Sequence, residues 1–121
     1  MRTLLMLTLL CLPLGAADMT VKQYQKEVRS SNRDRADAVK MYVMGIGQGI
    51  AWANAAAEKN NAPLYCQPPK FSMDGNNYIG ILDKTIGTFE SKTTAKELNE
   101  FPVGMLLFMG LQQAFPCQTA K

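Results

Sequence analysis

Histidine is absent from this chain. That removes the usual general base and the commonest metal ligand, so a serine or cysteine nucleophile would lack its partner. Cysteine is scarce, three residues in all with no C-x-x-C pair, which argues against a thiol redox motif and a structural zinc site. Charge is nearly balanced, thirteen basic residues against ten acidic for a net +3. That is too weak for a nucleic-acid binder, which needs a clustered basic face. No segment alternates apolar and polar residues with period two, which excludes a sheet as the main architecture. Carboxylates that could be paired as acids, Asp34 with Asp37 and Glu97 with Glu100, sit in polar runs where solvated charge is the commoner reading. The residues present predict no catalytic set, no cofactor and no metal.

What is present begins with an address. Met1 and Arg2 precede an apolar run from Leu4 to Leu14, and Gly15-Ala16-Ala17 supplies small residues before Asp18, the pattern of a secretory signal peptide over residues 1–17. The run is too short for a membrane anchor. Cys11 follows Leu10 where lipoprotein processing wants a small residue, which argues against lipidation. Removal leaves residues 18–121, the size of one small domain. Its two cysteines, Cys66 and Cys117, then meet an oxidising compartment and are predicted to form one disulfide. Closing a loop of roughly 50 residues contributes about 4 kcal/mol in the chain-entropy model, a large share of a small domain's net stability.

The strongest periodic signal runs from Ala36 to Ala57. Ala36, Val39, Val43, Ile46, Ile50, Ala53 and Ala57 fall on one helical face, and Tyr42, Gly45, Gly49, Trp52 and Ala56 form a second stripe beside it. Together they predict a long central helix wide enough to be covered by two neighbours. Each of the glycines 45, 47 and 49 costs roughly 1 kcal/mol against alanine in a helix interior. Gly45 and Gly49 are therefore read as a notch for close backbone approach, flanked by Tyr42 and Trp52. A nucleotide loop is excluded, because the spacing is G-x-G-x-G and no strand ends there. A membrane dimer through the same glycines is excluded by Gln48 and Asn54 inside the run and by Lys40 and Glu58 closing it.

On either side the chain punctuates itself. Thr20 and Gln23 match a capping box opening a first helix with Val21, Tyr24 and Val28. The alternating charges from Arg29 to Asp37 suit a solvated start to the central helix, and Asn60-Asn61-Ala62-Pro63 its end. An extended segment through Cys66, Pro68 and Pro69 leads to a third helix with Ile79, Leu82, Ile86 and Phe89 inward. Glu90 to Glu100 reads as a loop or a short exposed helix. Pro102 then suits the first turn of a last helix carrying Val103, Leu106, Leu107, Gly110, Leu111 and Ala114, ended by Pro116. The expected fold is all-α, a compact bundle of four or five helices around a long central helix with one disulfide.

Tyr42-x-x-Gly45-x-x-x-Gly49, Leu64-Tyr65-Cys66-x-Pro68 and the terminal Phe115-Pro116-Cys117 together resemble the Rap/Tai immunity-protein family, small exported helical proteins that protect bacteria against type VI secretion amidase effectors. The likeness extends from about Tyr42 to Cys117, and the two cysteine motifs are its specific part. One departure is Gly110-Leu111, where such sequences often carry Ala-Leu. The resemblance implies a periplasmic homodimer that binds a papain-like peptidoglycan amidase and occludes its cleft through a protruding loop, with no nucleic acid and no membrane involved after signal removal. An alternative class is the small periplasmic acid-stress chaperone, also helical with one disulfide. Such chaperones carry the first cysteine near the mature start, whereas Cys66 follows the long helix.

The stretch Glu90 to Glu100 is longer than most helix connections and sits between two well-marked helices, which makes it the candidate partner-binding loop. Lys92, Lys96, Glu97 and Glu100 offer charged contacts, Ser91, Thr93 and Thr94 offer hydroxyls, and Phe101 anchors the end. An ordinary solvated connector would have the same composition.

Overall fold

The computed structural model describes residues 18–118, so the signal-peptide expectation over residues 1–17 lies outside the described residues. The chain forms five helices: α1 (Val21–Val28), α2 (Arg33–Lys59), α3 (Gly75–Glu90), α4 (Ala95–Glu100) and α5 (Val103–Ala114). Among the described residues there is no strand, only an isolated bridge between Thr20 and Pro102. Through it Val21 donates its N–H to the Phe101 carbonyl at 3.0 Å and Val103 to Met19 at 2.9 Å, so the segment before α1 is fastened to the start of α5.

Local chemistry sets most of the boundaries. Thr20 and Gln23 form the expected capping box at α1, and Asp74 with Asn77 and Thr94 with Glu97 form two more at α3 and α4. Each satisfies amide donors that the first helical turn leaves without partners. At α2 the Asn32 side chain accepts from the amides of Asp34 and Arg35. Its far end closes at Asn60 and Asn61, and Asn61 takes the left-handed conformation at φ 56, a backbone that asparagine tolerates better than most residues. The stretch that read as loop or short helix is in part α4, whose Leu98 is buried.

The core joins Val21 and Tyr24 of α1, Val39 and Val43 of α2, Tyr65 of the segment between α2 and α3, Tyr78, Leu82 and Ile86 of α3, Leu98 of α4, and Val103, Leu106, Leu107 and Leu111 of α5. The most deeply enclosed helix is therefore α5, packed mainly on α3, while α2 forms one wall against α1, α3 and α5. Gly110 is the tightest point of the α3–α5 pair, since a Cβ there would overlap the Thr85 hydroxyl and the Ile81 side chain. An alanine would not fit at that crossing.

The second stripe of α2 departs from expectation. No neighbour covers it: Gly45, Gly49, Trp52 and Ala56 are exposed and only Tyr42 is partly buried. A Cβ built on Gly45 or Gly49 meets nothing within 4 Å. The close approach falls instead on Gly47, where a Cβ would lie 2.5–2.6 Å from three ring atoms of Tyr78. The glycine notch of the fold is thus Gly47 against α3. Glycines spaced by two lie on opposite sides of a helix, and the ring of α3 reaches only the inner one.

Candidate partner-binding surfaces

The 64–71 segment is held to the bundle by three devices. The disulfide Cys66–Cys117 forms as expected across a separation of 51 residues, and beside it the Cys66 amide donates to the Phe115 carbonyl at 2.8 Å. From α2, buried Asn54 accepts from the amides of Leu64 at 2.7 Å and Tyr65 at 3.1 Å and donates to the Tyr65 carbonyl at 3.0 Å. Here one amide side chain replaces the partners that an irregular buried segment lacks. The Phe71 and Phe115 rings then pack at 5.9 Å. Beside the staple lies a shallow cleft of about 350 Å³ lined by Asn54, Glu58, Tyr65, Gln67 and Phe71 among others. Glu58 is the one ionisable group on its wall apart from the Tyr65 phenol, so no acid and base converge there.

The candidate loop is more rigid than its composition indicates. After α3 ends at Glu90, Lys92 and Thr93 donate their amides to the Phe89 carbonyl at 2.9 and 3.0 Å, and the chain enters α4 directly. Phe101 packs against Phe89 with the rings tilted and their centroids 6.2 Å apart, the anchor its position implies. The structure divides the predicted contact residues into two groups. Glu97 is committed internally: its carboxylate accepts from the hydroxyls of Thr93 and Thr94, both at 2.8 Å, and from the Thr94 amide at 3.2 Å. Those bonds, the Thr93 hydroxyl first, hold its carboxyl below the ordinary range. Ser91, Lys92, Lys96 and Glu100 are exposed, and none of their charges enters an ion pair among the described residues. A partner would meet two cations and a carboxylate on a capped frame.

Two features escaped the sequence reading. One is the Tyr24 hydroxyl, which donates to Asp83 at 2.7 Å and joins α1 to α3. Burial, then the Asp83 carboxylate, pushes its pKa well above the ordinary phenol value. The other is the open face of α2, where Trp52 is 76% exposed and Met41 68% exposed. A large apolar side chain in water at that level is informative where several share one face. Its sequence signal was present as the second stripe, which does not show whether the neighbour lies in the same chain. Comparison of the chain with protein-family models, with curated proteins and with solved structures returns no match.

Proposed function

We propose that this chain is an exported, periplasmic immunity protein that acts as a homodimer, binding a peptidoglycan amidase delivered by type VI secretion and occluding its cleft. One observation carries the reading. Two of the three stretches that resemble the Rap/Tai motifs are brought together by the fold: Leu64-Tyr65-Cys66 and Phe115-Pro116-Cys117 meet at a single disulfide-and-amide staple, and Asn54, on the helix that carries the third, holds that staple's other side.

An inhibitor needs a rigid, chemically varied projection more than reactive groups. The α3–α4 corner supplies one, with Lys92, Lys96 and Glu100 displayed from a capped turn and Phe101 and Leu98 anchoring it. Pre-organisation of this kind reduces the ordering entropy lost on binding.

The test is inhibition of a purified amidase in a peptidoglycan digestion assay. Replacing Lys92, Lys96 and Glu100 together by alanine, with Glu97 kept so that α4 stays capped, should weaken inhibition at least about ten-fold without changing the helical signal or the melt, because a few contacts carry most of an interface. Inhibition equal to wild type by the folded triple variant would remove the corner from the site. Protection of a client protein from acid aggregation, with no amidase bound, would replace the proposal with a chaperone.

A further inference from the structure

The open face of α2 has an order that a merely uncovered surface would not need. Taken along the helix it reads Asp34, Ala38, Met41, Gly45, Gly49, Trp52, Ala56 and Lys59, at steps of three or four that keep all eight on one stripe, and every one of them is exposed. Read from either end the sizes are the same: a charge, a small residue, a large apolar one and a glycine, then the mirror order. The charges at the two ends are opposite in sign, and neither Asp34 nor Lys59 enters an ion pair among the described residues.

We propose that this face is the contact through which two copies of the chain pair, as an antiparallel crossing of α2 on the partner's α2 about a two-fold axis at Ile46–Gly47. The four pairs the two-fold creates share that midpoint within half a residue: Asp34 with Lys59 of the partner subunit, Ala38 with the partner's Ala56, Met41 with the partner's Trp52, and Gly45 with the partner's Gly49. At the crossing only glycines meet, so the backbones can come close, and a Cβ at either position points into open space within one copy. On both sides of the crossing a methionine packs on an indole, a favourable sulfur–aromatic contact. At each end a carboxylate meets an ammonium, and the opposed helix dipoles agree with that direction.

A second copy is the occupant that the pattern selects, because an isologous contact must be self-complementary about its own axis. An unrelated partner places no such demand on the order of sizes and signs. The area sets the size class of the interface. The stripe from Asp34 to Lys59 is about 37 Å long at 1.5 Å per residue and about 10 Å wide, so each copy buries about 400 Å². That is near half of a standard interface, the size of a weak and reversible contact. The inference deepens the homodimer of the proposed function, but its grounds lie on α2 alone.

The test is sedimentation equilibrium of oxidised protein recovered after export, from about 1 to about 500 µM, a range that brackets a micromolar dissociation constant. The single tryptophan of the chain is Trp52, so its emission reports the contact directly. We expect a reversible monomer–dimer equilibrium, with Trp52 emission moving to shorter wavelength as the dimer forms. Gly49→Leu, which has room within the monomer, should raise the dissociation constant at least about ten-fold while the melt of the dilute protein is unchanged or higher. Asp34→Lys should weaken pairing, and adding Lys59→Asp should restore it, because the swap recreates the same pair with signs exchanged. The proposal is overturned if the protein is monomeric throughout, if Gly49→Leu leaves the constant unchanged, or if the double swap pairs no better than Asp34→Lys alone. It is equally overturned if Trp52 emission responds to an amidase and not to self-concentration. None of the self-association measurements uses the amidase, so their failure and a failure of the immunity reading are separately visible.

Discussion

The glycines of α2 differ in sign when replaced, and Gly47→Ala is the informative case. A Cβ at Gly47 would stand 2.5–2.6 Å from Tyr78 ring carbons, about 1 Å inside the ordinary carbon contact distance. Tyr78 is 3% exposed and sits in the first turn of α3, so its ring has no solvent to retreat into. Overpacking of this kind costs about 1–3 kcal/mol, and the gain in helix propensity from glycine to alanine returns about 1 kcal/mol. The net is a loss of up to about 2 kcal/mol. For Gly45→Ala and Gly49→Ala the steric part is missing, and the propensity gain stands alone. A domain of this size changes its melting temperature by about 4–8 °C per kcal/mol, so the two classes should lie on opposite sides of wild type. The melts are to be run dilute, because a dimer that binds only folded protein adds stability of its own. A Gly47→Ala protein that melts above wild type would refute the reasoning, since the ring would then yield at no cost. Tyr78→Leu in the Gly47→Ala background should recover part of the loss, and the double-mutant cycle isolates the coupling.

Replacing Cys66 and Cys117 together by serine should lower the melting temperature by more than about 10 °C, given a bridge worth about 4 kcal/mol, and oxidised wild-type protein should show neither of these two thiols by titration. Asn54→Ala strands two amides and one carbonyl of the 64–65 segment and should cost about 3 kcal/mol, read as a fall in the urea midpoint at unchanged slope. Burial raises the phenols of Tyr24, Tyr65 and Tyr78 above 10.0. The unfolded chain therefore releases these protons first, and stability that is full below pH 10 declines as the pH rises above it; Tyr24→Phe should flatten that decline in alkaline melts.

What could be read from the sequence was what is decided within a few residues. The capping box of Thr20 and Gln23, the Asn60–Pro63 stop and the Pro102 entry to α5 are local arrangements, and the structure has them in place. The box of Thr94 and Glu97 belongs to the same class and marks α4, the short helix that polar composition alone does not separate from a loop. The disulfide followed from compartment and count. Contacts across the chain were not legible. Periodicity shows that Tyr42, Gly45, Gly49 and Trp52 share a stripe, and it contains nothing about whether α3, α5 or no helix of the chain lies against it. Tyr78 reaches Gly47 from 31 residues away, and Asn54 acquires its role only because the chain folds back at Asn61.

Those long-range facts change what the G-x-G-x-G run is for. Three glycines reduce the propensity of a 27-residue helix by about 3 kcal/mol against alanine, and the monomer draws a packing return from Gly47 alone. The two outward glycines are a standing loss to the isolated chain, since Gly→Ala at either one relieves it without a clash. Their presence has a physical reason if stability and association are set against each other on one element. The inner glycine admits the Tyr78 ring, the outer pair would admit a second backbone in the proposed pairing, and the ends of the helix are secured elsewhere, by Asn32 at one end and by the Asn54 staple near the other. Alanine at Gly45 and Gly49 should then raise the melting temperature of the dilute protein and lower its tendency to pair in the same variant. A gain in both would leave the outer glycines without a physical reason.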